Sequence, residues 1–264
     1  MIAAAERWAE QVAGWGIPEH VLAQAPVSPW AHDPARFALD GPLDTGDGAD
    51  TPSLEWSREV LPPTGGTVLD VGCGGGRGSI PLAPDATEVC GVDTNSDMLA
   101  LFAETAAARG LAHRTILGAW PDVAPDAPIA DVVVCHHVMY NVADPVPFLV
   151  ALTGRARLAV VVEMPIRHPL SGWADAWEHF WGIRRPDGPS DLDIVEIATA
   201  LGLRPEHRRW ERDRAQYEST DPVEVVRRRL CLTPDRDAEL EEWLAEHRPR
   251  YVDTMATLRW PGDA

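Results

Sequence analysis

An α/β fold built on a doubly wound, mostly parallel sheet of seven strands is what this sequence predicts, and three observations predict it. From Val68 to Val162, apolar β-branched runs alternate with stretches of helical periodicity, the pattern of a parallel sheet covered on both sides. The run ADVVVC at Ala130–Cys135 is apolar at successive positions, as a central strand buried on both faces must be. After the first strand, five glycines fall within seven residues (Gly72, Gly74, Gly75, Gly76 and Gly78), the punctuation of a strand that turns into a helix beside a ligand.

Taken in order, Ala3 to Trp15 places Ala5, Trp8, Ala9, Val12 and Trp15 at helical spacing, and Pro18 opens a second short helix. The two helices cap the first strand. Ala25 to Ser53 is rich in Pro, Gly and Asp; Trp30 and Phe37 make it either a lid over the glycine turn or a surface loop with two anchoring aromatics. Pro52 to Leu61 is a helix, Thr67 to Val71 the first strand, and a helix begins near Gly76. Glu88 to Val92 is the second strand, and Asp97 to Arg109 an amphipathic helix with Met98, Leu101, Phe102 and Thr105 on one face, closed by Gly110. Arg114 to Leu117 and Ala130 to Cys135 follow as strands, Asp144 to Thr153 as a helix and Leu158 to Val162 as the fifth strand. An aromatic, histidine-rich insert runs from Met164 to Ser190, where Ser190 N-caps a helix to Leu201. His207 to Arg212 and Tyr251 to Trp260 complete the strands, with helices at Pro222–Cys231 and Asp235–His247 between them. At 264 residues one domain accounts for the whole: an N-terminal cap or lid (1–51), a core (52–163), an insert (164–190) and C-terminal helices with a hairpin (191–264).

Composition narrows the partners. A formal charge of −18, from 41 acidic and 23 basic residues, repels a phosphate backbone, so nucleic acid is not an expected substrate. All the basic residues are arginine, which excludes a P-loop lysine and a Schiff-base lysine. No run is long enough to span a bilayer and Met1–Gly14 lacks the form of a signal peptide, so a cytoplasmic protein without membrane partners is expected. Cys73, Cys90, Cys135 and Cys231 form no C-x-x-C pair and read as free thiols; no acidic cluster suggests a metal.

Gly72-x-Gly74-x-Gly76 is not the dinucleotide fingerprint, because G-x-G-x-x-G places its last glycine on Arg77 or Ser79. Asp70 precedes the turn and Asp93 ends the next strand, where a carboxylate can accept both hydroxyls of a ribose. With LDVGCGGG at Leu69–Gly76, GVD at Gly91–Asp93 and ADVVVCHHVMYNV at Ala130–Val142, the chain resembles the class I S-adenosylmethionine-dependent methyltransferases. The resemblance covers roughly Val68 to Val162. It implies S-adenosylmethionine as cofactor and S-adenosylhomocysteine as product, a sheet closed by a hairpin, and cofactor contacts from Asp70, Gly72, Cys73, Gly74, Asp93, Thr94, Ala119, Trp120 and His136. After the third strand the chain reads Gly118-Ala119-Trp120-Pro121-Asp122 where that family usually has an acidic adenine contact, leaving Trp120 or Asp122 for the role.

Methyl transfer from a sulfonium needs alignment, and a proton acceptor when the nucleophile is a hydroxyl. His136 and His137 follow the fourth strand, and strand alternation turns one to the pocket and the other to the packed side. With Tyr140 they are the candidate catalytic groups. Trp173, Trp177 and Trp181 recur every four residues, either as core or as a substrate wall at the mouth of the sheet. Trp30, Tyr140, Asn141, Trp177, His179 and Trp181 are the candidate substrate contacts; His168 and His179 are alternative bases, and Arg167, Arg184 or Arg185 suits an acidic group. The expected reaction is methylation of a small molecule on oxygen, nitrogen or carbon. Two rivals stand beside it, an NAD-dependent oxidoreductase and a non-catalytic cofactor sensor; monomer and homodimer are both open.

Overall fold

The computed structural model describes residues 3–29, 51–212, 223–247 and 252–264. Its sheet has seven strands, β1 Gly66–Val71, β2 Ala86–Asp93, β3 Ala112–Leu117, β4 Ala130–His136, β5 Ala156–Pro165, β6 Glu206–Glu211 and β7 Thr254–Pro261, in the order β3-β2-β1-β4-β5-β7-β6. Neighbours from β3 to β5 are parallel, whereas β7 runs antiparallel to both β5 and β6. The chain winds outward from β1 through β2 to β3, then returns to place β4 on the other side of β1. That reversal opens a crevice above the C-terminal ends of β1 and β4, the place where open α/β sheets bind ligands.

Alternating side chains divide the core between two faces. Leu69, Val71, Val133, Cys135, Val160 and Val162 meet α1 (Ala3–Gly14), α5 (Pro145–Thr153) and α7 (Asp191–Ala200). Val68, Val132, Val134 and Val161 meet α3 (Pro52–Val60) and α4 (Ser96–Ala108) on the other. On α4 the buried residues are Met98, Leu99, Phe102 and Ala106. The buried face thus takes Leu99 and Ala106 in place of the expected Leu101 and Thr105; those two are half-buried, and the Thr105 hydroxyl donates to the Leu101 carbonyl, 2.7 Å.

The helix expected from Gly76 does not form. Residues 72–79 make successive turns and only Ile80–Leu82 closes a single 3-10 turn. Each glycine costs a helix about 1 kcal/mol relative to alanine, and Pro81 and Pro84 remove N–H donors where the helix would continue. No α-helix follows β3 either, so α1 supplies cover to that face. Its Trp8 is fully buried and donates its indole N–H to Val142 O, 2.7 Å, while Arg7 pairs with Asp193 and Glu196 of α7. The N-terminal helix is therefore a wall of the core.

A third apolar cluster lies beyond the sheet. Val21 of α2 (Glu19–Leu22), Trp173, Trp177 and Phe180 in and before α6 (Ala174–Trp181), Val226 and Leu230 in and after α8 (Val223–Arg229), and Leu240 and Trp243 of α9 (Asp237–Glu246) pack together. Of these, α6 follows the C-terminal end of β5, and α8 and α9 that of β6, so with α2 they form a helical cover on the crevice side. Strand β7 starts at Thr254; the expected Tyr251 start lies outside the described residues. Trp8→Ala is expected to cost about 3–5 kcal/mol in urea denaturation, since it opens a cavity and strips a carbonyl of its donor. A loss below about 1 kcal/mol would show that α1 is not part of the core.

Candidate functional site

The turn after β1 is held by its own amides. Gly72 N–H and Cys73 N–H both donate to Val92 O, 2.8 and 3.0 Å, and Gly74 N–H donates to Asp93 Oδ2, 3.0 Å. The donors expected to face a ligand are thus consumed by the end of β2. Asp93 Oδ1 accepts Asn95 N–H, 2.9 Å, and each carboxylate oxygen keeps a further lone pair toward solvent. Gly72 has φ 73°, and a Cβ there would meet Val138 Cγ2 at 2.3 Å, so this turn and the loop after β4 are in direct contact. Gly74, at φ 49°, borders open space, since a Cβ added there would meet nothing within 4 Å.

Several proposed cofactor contacts sit differently from expectation. Asp70 is 1% exposed beneath the turn, accepting the Ser79 hydroxyl at 2.6 Å; burial, reinforced by the charge of Asp93, pushes its carboxyl up to about 7 against that hydrogen bond. Cys73 is buried with Sγ 2.8 Å from where a Cβ on Gly91 would lie, so its thiol faces β2 and burial raises it far above its ordinary range. Thr94 and Ala119 are exposed, as is Asp122. Trp120 is half-buried against the core and donates its indole N–H to Phe148 O at 3.3 Å, which fixes the ring on α5.

His136 and His137 both lie toward the carboxylate of Glu163 on β5. The alternation expected of them fails because β4 ends at His136, and His137 takes a left-handed φ of 61°. His136 is on the α3 face with Asp70 and Glu163, its Nδ1 3.2 Å from where a Cβ on Gly78 would be. Its Nε2 is buried without a hydrogen-bond partner among the described residues, and burial holds the imidazole below its ordinary value, hence neutral near pH 7. His137 Nε2 lies 3.2 Å from Glu163 Oε1 and 3.0 Å from Arg212 Nη2, and its N–H donates to Glu163 O, 2.8 Å. Burial pushes the Glu163 carboxyl up, but the hydrogen bond from His137 and the charges of both imidazoles outweigh it and hold the group well below the carboxylate range.

Glu163 and Arg212 were not among the residues the sequence marked. A glutamate inside the apolar run AVVVEMP is the signal for the first, since a carboxylate in a buried strand needs a partner. Tyr140 follows in a 3-10 turn at Met139–Asn141, its hydroxyl raised by burial; Asn141 is exposed. His168 stacks on Trp15 at 4.0 Å, and burial together with Arg185 lowers it to about 3, too weak a base for neutral pH.

The expected substrate wall is mostly packing. Trp177 is 2% exposed with Arg185 4.0 Å over its ring, and Trp181 donates to Leu230 O, 2.7 Å. His179 is exposed, 3.7 Å from Glu239 and edge-on to Phe180. Arg185 donates from Nη1 to Gly14 O and Gly16 O, 3.1 and 2.8 Å, which ties the insert to the end of α1. Trp30 lies outside the described residues.

Asp70 makes a pH prediction. A carboxyl whose value rises on folding stabilises the fold fully below about pH 4, and that contribution is lost as pH rises through about 7. Asp70→Asn should therefore gain on the wild type in urea midpoint between about pH 5 and about pH 8. A midpoint difference that does not move with pH would sink this assignment.

S-adenosylmethionine is tested by this geometry. A crevice lined by the Asp93 carboxylate, with open space at Gly74 and turn amides already satisfied, offers acceptors and negative charge; that suits a cationic ligand bearing hydroxyls. The residues fit the group. Residues 68–154 match the family model described as a methyltransferase domain. No curated protein matches the sequence. Among solved structures the chain is similar to magnesium protoporphyrin IX methyltransferase of Synechocystis PCC 6803 with bound S-adenosylhomocysteine (16% identity, 80% of each chain, TM-score 0.52). It is also similar to the YcgJ protein of Bacillus subtilis (14%, 80% of this chain and 98% of that one, 0.55) and to phosphoethanolamine N-methyltransferase 2 of Haemonchus contortus (16%, 88% and 56%, 0.56). These likenesses are of fold, whereas the family match spans the glycine turn, Asp70, Asp93 and both histidines. Residues 68–154 thus match a methyltransferase domain, and the fold around them is similar to that of solved methyltransferases.

Proposed function

We propose that this protein methylates a small molecule, with the acceptor entering the crevice between the turn after β1 and the histidines after β4. When bound, S-adenosylmethionine supplies an electrophilic methyl group. Gly74 gives it room, Asp93 accepts the ribose hydroxyls, and Asp70 beneath the turn holds Ser79 in place. His136 and His137 are the candidate proton acceptors, and Tyr140 is the neighbouring polar group for acceptor contact. The helical cover from α2, α6, α8 and α9 encloses this end of the sheet and supports a small acceptor; the charge of −18 opposes a nucleic acid.

The observation that carries this reading is the occupancy of the turn amides. A pyrophosphate needs free N–H groups and a helix N-terminus; here Gly72, Cys73 and Gly74 spend theirs on β2 and no α-helix follows. The NAD-dependent alternative loses its anchor on that account.

Incubation with methyl-labelled S-adenosylmethionine and a panel of phenols, amines and carboxylic acids is expected to label at least one acceptor. Tight cofactor binding without transfer to any of them would favour a sensor. Asp93→Ala should weaken S-adenosylhomocysteine binding by more than about tenfold in calorimetry, since hydrogen bonds to a charged acceptor contribute about 1.5–3 kcal/mol each. An unchanged affinity would place the cofactor elsewhere.

A further inference from the structure

We infer that Glu163 is a positioning residue that holds His137 in its Nε2–H tautomer, leaving Nδ1 to take the proton of a hydroxyl acceptor; the inference rests on the methyltransferase reading above. The geometry sets a contest at one atom. Glu163 Oε1, 3.2 Å from His137 Nε2, needs a proton on that nitrogen, whereas Arg212 Nη2, 3.0 Å away, needs its lone pair. Both cannot be satisfied together, and the two outcomes are the two neutral tautomers.

Burial decides between them. The Glu163 side chain is 8% exposed, and its other facing donor, the Ser53 hydroxyl, is shared with Thr257 at 2.6 Å. A buried carboxylate deprived of a donor costs several kcal/mol, whereas a guanidinium has five N–H groups and other acceptors to turn to. Nε2–H therefore goes to Glu163. The charged and titratable groups facing the ring are Glu163 from β5, His136 from β4 and Arg212 at the end of β6, with Tyr140 beside Arg212.

The backbone points the same way. A non-glycine residue at φ 61° is costly, about 1–3 kcal/mol, and persists where its surroundings over-determine it. Glu163 supplies two of the restraints, its carbonyl accepting His137 N–H and its carboxylate facing Nε2. With the side chain 39% exposed, the free edge of the imidazole is reachable. In the reaction the acceptor oxygen gives its proton to Nδ1 as it bonds to the methyl carbon, and the pair of the broken C–S bond stays on sulfur. The positive charge leaves the sulfonium and reappears as an imidazolium against Glu163. The substrate class this selects is a hydroxyl that is neutral in solution, an alcohol or phenol; a carboxylate or a free amine would need no such base.

The test is long-range ¹H–¹⁵N NMR of the histidine rings in the whole, cofactor-free chain. The wild type is expected to show His137 as the Nε2–H tautomer. Glu163→Gln, whose amide can donate to Nε2, should convert it to Nδ1–H, and Glu163→Asp should retain Nε2–H in part. A wild-type Nδ1–H signal, or a tautomer that ignores Glu163→Gln, overturns the inference. Should Glu163→Gln fail to fold, Arg212→Gln serves, since removing the competing donor must leave Nε2–H in place; a switch to Nδ1–H refutes the role of Glu163. Calorimetry with S-adenosylhomocysteine separates the two readings. Wild-type and Glu163→Gln affinities should agree; a loss confined to Glu163→Gln makes it a cofactor ligand and ends the positioning role, whereas no binding by the wild type defeats the methyltransferase reading itself.

Discussion

Burying ionisable side chains in a valine sheet is the constraint on which the rest of this structure depends. Asp70, His136 and Glu163 stand on the same face of β1, β4 and β5, each at the C-terminal end of a strand whose preceding residues on that face are Val68, Val134 and Val161. Water cannot solvate them there, so every neighbour on that face carries part of the cost. Ser79 reaches Asp70 from the turn, Ser53 faces Glu163 from the start of α3, and the two histidines close on Glu163 from β4. A fully apolar face would be more stable; what the polar row adds is a negative, water-poor floor beneath the crevice.

That floor explains the form of the glycine turn. A helix starting at Gly76 would point its N-terminus, with partial positive charge, toward the crevice and would attract anions. The turn instead folds the amides of Gly72, Cys73 and Gly74 back on Val92 and Asp93. The loss of that helix, and of any helix after β3, leaves the sheet short of cover. The N-terminal α1 makes up one side by burying Ala4, Ala5 and Trp8, and its attachment through Arg7 and Arg185 links it to α7 and to the insert.

Much of the fold was legible because its signals are periodic. The ADVVVC strand and Ser190 before α7 each act through near neighbours in sequence, and the structure shows Ser190 accepting the amide expected of an N-cap. At the site, a residue's place was legible only where it follows from local sequence, as for Asp93 at the end of β2. It was not legible where a role depends on a partner far along the chain. His137 meets Glu163 and Arg212 across 26 and 75 residues of sequence, and no spacing rule joins them. The tryptophans of the insert failed as a substrate wall for the same reason: their partners, Leu230 and Trp243, come from helices that only the hairpin brings near.

Arg212 also sits at a junction. It directly follows β6 and is the last described residue before residue 223, and its backbone N–H is held by Asp253 O, 3.0 Å. Its guanidinium lies 3.0 Å from His137 Nε2 and 3.2 Å from Met255 Sδ, so it joins the loop after β4 to β7. Because a hydrogen bond weakens steeply over a few tenths of an ångström, small displacements there decide how strongly Arg212 contests Nε2. Glu163 has no such freedom: it is fixed in mid-strand, between His136 on one side and Thr257 on the other. Of the two partners of His137, one is a buried residue of β5 and the other stands where the chain leaves β6.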